Sequence, residues 1–138
     1  MRESDLSFPI QPVSFGADYE FPEDLTKLHV DQIGFWSSRL AAYRGYVLAM
    51  YTKSEVRRRM LEEKIKIESA KCRASRRDPN RTQSDIKDEV TSLPEIEEFN
   101  KKMLEAEAST IYYSMLKEIY TGQIEVLSRE LTRRTLDI

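Results

Sequence analysis

Residues 30–74 read VDQIGFWSSRLAAYRGYVLAMYTKSEVRRRMLEEKIKIESAKCRA, a stretch with no proline and with glycine only at positions 34 and 45. Apolar side chains recur at Ile33, Trp36, Leu40, Tyr43, Val47 and Met50. Steps of three and four line one face of an α-helix, so this stretch predicts a single long helix over about 30–74. After Ser54 the stripe would need an apolar side chain where Arg57 stands, and it resumes on a shifted face at Val56, Met60, Leu61, Ile65 and Ile67. Such a slip means a change of packing partner, a stutter, or an exposed second half. Gly45 costs about 1 kcal/mol relative to alanine in a helix interior, and a close helix crossing is the expected compensation.

Working outward toward the C-terminus, residues 75–91 (SRRDPNRTQSDIKDEVT) break the pattern. Asp78-Pro79-Asn80 is a turn signature, because proline presets φ and Asn and Asp side chains bond to nearby backbone. Thr82 followed by Asp85 opens a short helix through Val90. Ser92-Leu93-Pro94-Glu95 has capping-box spacing with proline in the first turn, and predicts a second long helix over about 93–134. Its stripe runs Ile96, Phe99, Met103, Ala106, Thr110, Tyr113, Lys117, Tyr120, Ile124, Leu127 and Leu131. A parallel row at Leu104, Ile111, Leu116, Ile119 and Val126 widens the apolar surface.

Toward the N-terminus, residues 1–25 hold Pro9, Pro12 and Pro22 with Phe8, Phe15, Tyr19 and Phe21. Proline excludes a long helix or a central strand, so an extended, acidic arm is expected ahead of a helical domain over 26–138. This arm is either a disordered leader or an acidic segment that packs on a neighbouring chain or mimics a partner's ligand, since aromatics are unusual in purely solvated tails.

The expected fold class is all-α: a long antiparallel hairpin with a short middle helix. A two-helix hairpin offers no enclosed core, and the surplus apolar surface calls for a homo-oligomer. Antiparallel pairing brings Ile33, Trp36 and Leu40 near Ile124, Leu127 and Leu131, and these six are the expected oligomer interface.

The 138 residues are 33% charged, carry one Cys and one His, and sum to −2. One Cys excludes a disulfide framework or a Cys-rich zinc site. One His leaves no set of partners for a hydrolytic triad or a multi-His metal centre. There is no Gly-rich phosphate loop, no H-E-x-x-H and no G-x-S-x-G. Glu105 lacks the His three residues on that a di-iron bundle site requires. The expectation is a protein that is not an enzyme and uses no metal or cofactor. No apolar run reaches the roughly 18 residues of a membrane span and no signal peptide is read at the N-terminus, so the expected compartment is the cytoplasm.

Charge is strongly segregated. Residues 53–81 carry eleven basic side chains against five acidic ones, seven of the eleven being Arg, while residues 82–109 carry three basic against eight acidic. A basic block of this kind suits a phosphate backbone, whose neutralisation releases counterions, and Arg forks match phosphate oxygens in pairs. Lys71, Arg73, Arg76, Arg77 and Arg81, with Lys64 and Lys66 in support, are the candidate nucleic-acid contacts; Arg76 and Arg77, beside the turn, are the pair expected to be least engaged internally. The competing reading is a solvated helix face paired with the acids that follow. The tyrosines at 43, 46, 51, 112, 113 and 120 fall at helical spacing and read as core or interface side chains in preference to a base-stacking platform.

Thr26-Lys27-Leu28 ahead of a long helix, Lys71-Cys72-Arg73 near its end, a polar charged turn and a second amphipathic helix together resemble the recombination mediator proteins of T-even-type bacteriophages, the UvsY family. The resemblance covers 26–134, and the Pro-rich arm departs from it. It implies a ring-like homo-oligomer that binds single-stranded DNA, with Lys71 and Arg73 as contacts. It also implies a recombinase and a single-strand-binding protein as partners, inside a phage-infected bacterial host. The alternative from another class is a structural or adaptor helical protein of a (phage) assembly that binds a protein through its apolar rows and acidic arm.

Overall fold

The computed structural model describes residues 19–136. A 3-10 turn at Leu25–Lys27 leads into three helices, α1 (Val30–Ser75), α2 (Gln83–Thr91) and α3 (Pro94–Leu136), and no strand occurs among the described residues. The two long helices pack against each other, with the short helix between them in sequence. The expected boundaries of both long helices and of the short one agree with these elements within two residues. None of the helices is long and apolar enough to cross a membrane.

The chain divides into two compact units. The first comprises residues up to 52 together with those from 111 onward, and the second spans Lys53–Thr110. The break in the helical stripe after Ser54 falls beside this division. In the second half of α1 Met60 and Ile67 remain exposed.

In the first unit, Ile33, Leu40, Tyr43 and Val47 of α1 meet Leu116, Tyr120 and Leu127 of α3, all essentially without solvent contact. The segment at 19–28 supplies the covering that two helices lack. Tyr19, Phe21, Leu25 and Leu28 pack against this core. The Tyr19 ring lies 5.8 Å from Trp36, 5.5 Å from Tyr43 and 6.2 Å from Tyr120, and Phe21 stands edge-on to Trp36 at 5.7 Å. Aromatic pairs at such distances contribute about 0.5–1.5 kcal/mol each beyond their buried area. The Tyr19 hydroxyl donates to Gln123 Oε1 at 2.5 Å. At the far end of the strap, Arg134 donates to the carbonyl oxygens of Leu25 and Thr26, at 3.0 and 3.4 Å. The Glu130 carboxylate orients Arg134 and Arg133, and their hydrogen bonds hold its carboxyl down at about 2.

The structure places the residues of three expectations. The core of this unit is enclosed within one chain, because the strap adds a third layer. Ile33, Leu40 and Leu127 are consequently inaccessible to another molecule, and Trp36 and Ile124 are half-buried against the same core; of the six expected interface residues only Leu131 is exposed, at 36%. The arm expected over 1–25 ends in packed structure from Tyr19 onward, while residues 1–18 lie outside the described residues. Gly45 makes no close crossing, since a Cβ there would meet nothing within 4 Å.

In the second unit, Thr82 caps α2 by accepting from the Asp85 amide at 3.1 Å, as its spacing predicts. The capping box expected at Ser92 does not form. With two residues, Ser92 and Leu93, between α2 and α3, the Ser92 hydroxyl turns back onto the open carbonyls of Asp88 and Glu89. Proline in the first position of α3 removes one of the donors that would need a cap. Ile86, Val90 and Ile96 form a small buried cluster with Cys72, Leu93 and Phe99 around it.

Two measurements follow. Desolvation, then the neighbouring Tyr120 hydroxyl, pushes the Tyr19 hydroxyl up to about 12 from 10.0. Its protonated form is favoured by folding, so this contribution is complete below pH 10 and is lost as pH rises through about 12. Trp36 fluorescence should report that loosening, and Tyr19→Phe should reduce the pH dependence while costing about 1 kcal/mol for the hydrogen bond to Gln123. Separately, Gly45→Ala should raise the stability of the isolated chain by about 0.5–1 kcal/mol in urea unfolding, because nothing occupies the space the methyl enters.

Candidate nucleic-acid interface

The basic block lies in the second unit, where α1 ends, the chain turns and α2 begins. The last turn of α1 closes with the Arg76 amide on the Arg73 carbonyl at 3.1 Å and the Ser75 hydroxyl on the Cys72 carbonyl at 2.8 Å. Asp78 then accepts from the Asn80 amide at 2.9 Å, and the Arg81 amide reaches the Asp78 carbonyl at 3.1 Å. This is the turn that Asp-Pro-Asn encodes. Ile86 and Val90, four residues apart, anchor one face of α2 in the small cluster. Gln83 and Lys87, also four apart, lie on the adjoining face and look toward the turn.

A carboxylate clamps this arrangement. Glu89 receives Arg76 at 3.4 Å and forms a short hydrogen-bonded pair with Arg81. Those bonds, Arg81's first, hold its carboxyl below the usual carboxylate range. The pairing ties both ends of the turn to α2. The pair is solvent-accessible, so its value lies in geometry more than in net stability.

Around the turn lies a cavity of about 680 Å³, lined by Arg73, Arg77, Asp78, Pro79, Arg81, Gln83, Ile86 and Lys87. Four of these side chains are cationic and one, Asp78, is acidic. Among the described residues Arg73, Arg77 and Lys87 have no ion-pair partner.

The seven expected contacts thus divide. Arg73, Arg77 and Arg81 line the cavity. Arg76 does not: it is engaged by Glu89 and by the Cys72 carbonyl, against the expectation that it would be unengaged, because folding α2 back brings Glu89 beside it. Lys71 pairs with Glu68 at 3.7 Å and Lys66 with Glu62 at 3.9 Å, both as neighbours along α1 with largely exposed side chains. Lys64 lies over the Phe99 ring at 4.8 Å. Such exposed pairs are weak, about 0.3–0.5 kcal/mol each, and phosphate displaces them easily. Lys87 and Gln83 were missed in the sequence, where Lys87 sits in an acidic segment and block counting hides it. The signal was the shared four-residue spacing with Ile86 and Val90.

Other candidate chemistry is sparse. Among the described residues no group of three His, Cys, Asp or Glu side chains is placed to hold a metal ion. Cys72 is half-buried against the small cluster, and His29 lies 3.5 Å from Asp31 ahead of the first turn of α1. Tyr43 and Tyr120 are core residues, which removes them from any base-stacking platform. Compared with protein families, with curated proteins and with solved structures, this chain finds no match.

Proposed function

We propose that this chain is a non-enzymatic, self-associating accessory protein that binds single-stranded nucleic acid through the basic surface around the α1–α2 turn. The observation that carries the reading is the convergence of Arg73, Arg77 and Lys87, all without counter-ions, on one cavity beside Arg81. Uncompensated cations gathered at one place lower their mutual repulsion by taking up an anion, and a strand supplies phosphates at regular spacing. Lys71, Lys66 and Lys64 extend the positive surface along α1. The resemblance to phage recombination mediators points the same way. On that reading the partners are single-stranded DNA, a recombinase and a single-strand-binding protein, and the role is to help load the recombinase in the cytoplasm of an infected host.

Self-association rests on a different surface from the one the sequence suggested. On α3, Ile111 is 70% exposed, Met115 53% and Ile119 41%, with Val126 further along the same row. These steps of four and seven residues make one apolar ridge on the first unit, and Gly122 leaves open space within it. Of the parallel row expected to widen the apolar surface, only Leu116 is consumed by the core. A second copy covering the ridge removes this surface from water.

Two experiments test the proposal. Binding to single-stranded oligonucleotides should weaken steeply with salt, and Arg73→Ala with Arg77→Ala should reduce the log–log salt slope by about one to two and weaken binding similarly on all sequences. Wild-type affinity for the double variant at every salt concentration would leave the protein-binding adaptor reading in its place. In light scattering at micromolar concentration the wild type should exceed the monomer mass of 16.2 kDa, while Ile111→Glu with Ile119→Glu should be monomeric with unchanged helical circular dichroism. A monomeric wild type would remove self-association from the proposal.

A further inference from the structure

The cavity at the α1–α2 turn has a content that a phosphate track alone does not require. A track needs cations spread along an exposed surface, as Lys64, Lys66 and Lys71 are. Here Arg73, Arg77 and Lys87 converge instead on one partly open cavity of about 680 Å³. That lies in the middle of the roughly 300–1,000 Å³ range of small-molecule sites and far exceeds what a lone phosphate group fills.

The charge balance within the cavity is specific as well. Arg81 is already neutralised by Glu89, which lies outside the lining. Asp78 accepts from the Asn80 amide and keeps its negative charge, which offsets one of the cavity's cations. Arg73, Arg77 and Lys87 are left to face an incoming group, and α2, nine residues long, begins beside them with Gln83 in the lining. This suits a group with two or more negative charges. Beside Gln83, the apolar part of the wall is Pro79, which is exposed, and Ile86, which is anchored in the buried cluster beneath. A flat ring can lie on such a wall, and the planar guanidinium groups beside it stack on bases. A simple carboxylate ligand would use neither the volume nor this wall.

We infer that the cavity is a single-nucleotide site, in which Arg73, Arg77 and Lys87 hold the phosphate and the base rests on Pro79 and Ile86. The inference deepens the strand-binding proposal and rests on it for the source of the nucleotide, but it makes a claim of its own. A free nucleotide binds here without a strand, and competes with one. Within a strand, the same site takes one nucleotide at a time, while the lysines along α1 hold its neighbours. Glu89 holds Arg76 and Arg81 to α2 beside the three unpaired cations.

The test uses the full chain and two probes, deoxyadenosine triphosphate and inorganic tripolyphosphate, titrated calorimetrically at fixed salt. The nucleotide should bind once per chain and at least tenfold more tightly than tripolyphosphate, since only the nucleotide brings a base. Arg73→Ala with Arg77→Ala, and separately Lys87→Gln, should each weaken it about tenfold or more, as loss of a charge-assisted hydrogen bond implies. Arg57→Ala, an exposed basic residue outside the cavity, should leave it unchanged. All variants are checked for helical content, and Lys87→Gln, at an exposed position, serves where the double variant fails to fold. Equal affinity for the two probes, or equal losses from Arg57→Ala and Lys87→Gln, would overturn the single-nucleotide site. So would the absence of nucleotide binding when strands bind with full salt dependence, and that result would leave the strand-binding proposal standing. Nucleotide binding without strand binding would uphold the site and overturn the strand reading.

Discussion

Tyr19 is the side chain on which the first unit depends. Two helices pressed together have a seam but no interior, because each seam residue is flanked by water. Laying an aromatic ring across Trp36, Tyr43 and Tyr120 closes one side of the seam. Its hydroxyl, bound to Gln123, satisfies the polar atom that this burial would otherwise strand. The rest of the strap follows from that contact. Phe21 meets Trp36, the 3-10 turn is capped by Asp24, and the last turn of α3 reaches back through Arg134. Among the described residues no buried side-chain nitrogen or oxygen lacks a hydrogen-bond partner.

The second unit is built on a smaller scale. Its buried cluster has three members, and a nine-residue helix provides two of them. A helix that short is marginal by itself and persists through packing and capping. Ion pairs along α1, such as Glu55 with Arg58 and Glu62 with Arg58, keep that helix soluble where its apolar stripe has shifted. At the turn, Arg73 and Arg77 with Lys87 of α2 line one cavity without an ion-pair partner. That convergence separates a candidate binding surface from a solvated face.

Exposed apolar surface on α3 and exposed small residues on α1 distinguish the first unit from a finished globular surface. Gly34, Gly45 and Gly122 each cost helix stability, and none has a close neighbour that would account for it. The ridge at Ile111, Met115 and Ile119 is costly in water for the same chain. In the proposed self-association, a covering helix would approach closely over glycine and remove the ridge from solvent.

The sequence by itself determined the helices, their ends and the chemistry of the turn. Apolar spacing, proline, Asp78-Pro79-Asn80 and the Thr82 cap are local properties, set by backbone geometry within a few residues. It also located the basic block, because charge is legible by counting. It did not reveal which side of each apolar stripe would be covered, or by what. Ile33, Leu40 and Leu127 look the same in sequence whether a strap or another molecule buries them, and only the packing of 19–28 decided between these. Nor did it sort the cations. Arg76 and Arg77 are adjacent and chemically identical, yet folding α2 back sets Glu89 against the first and leaves the second open beside Lys87. Burial and pairing depend on contacts between residues distant in the chain, and those exist only once the tertiary structure has formed.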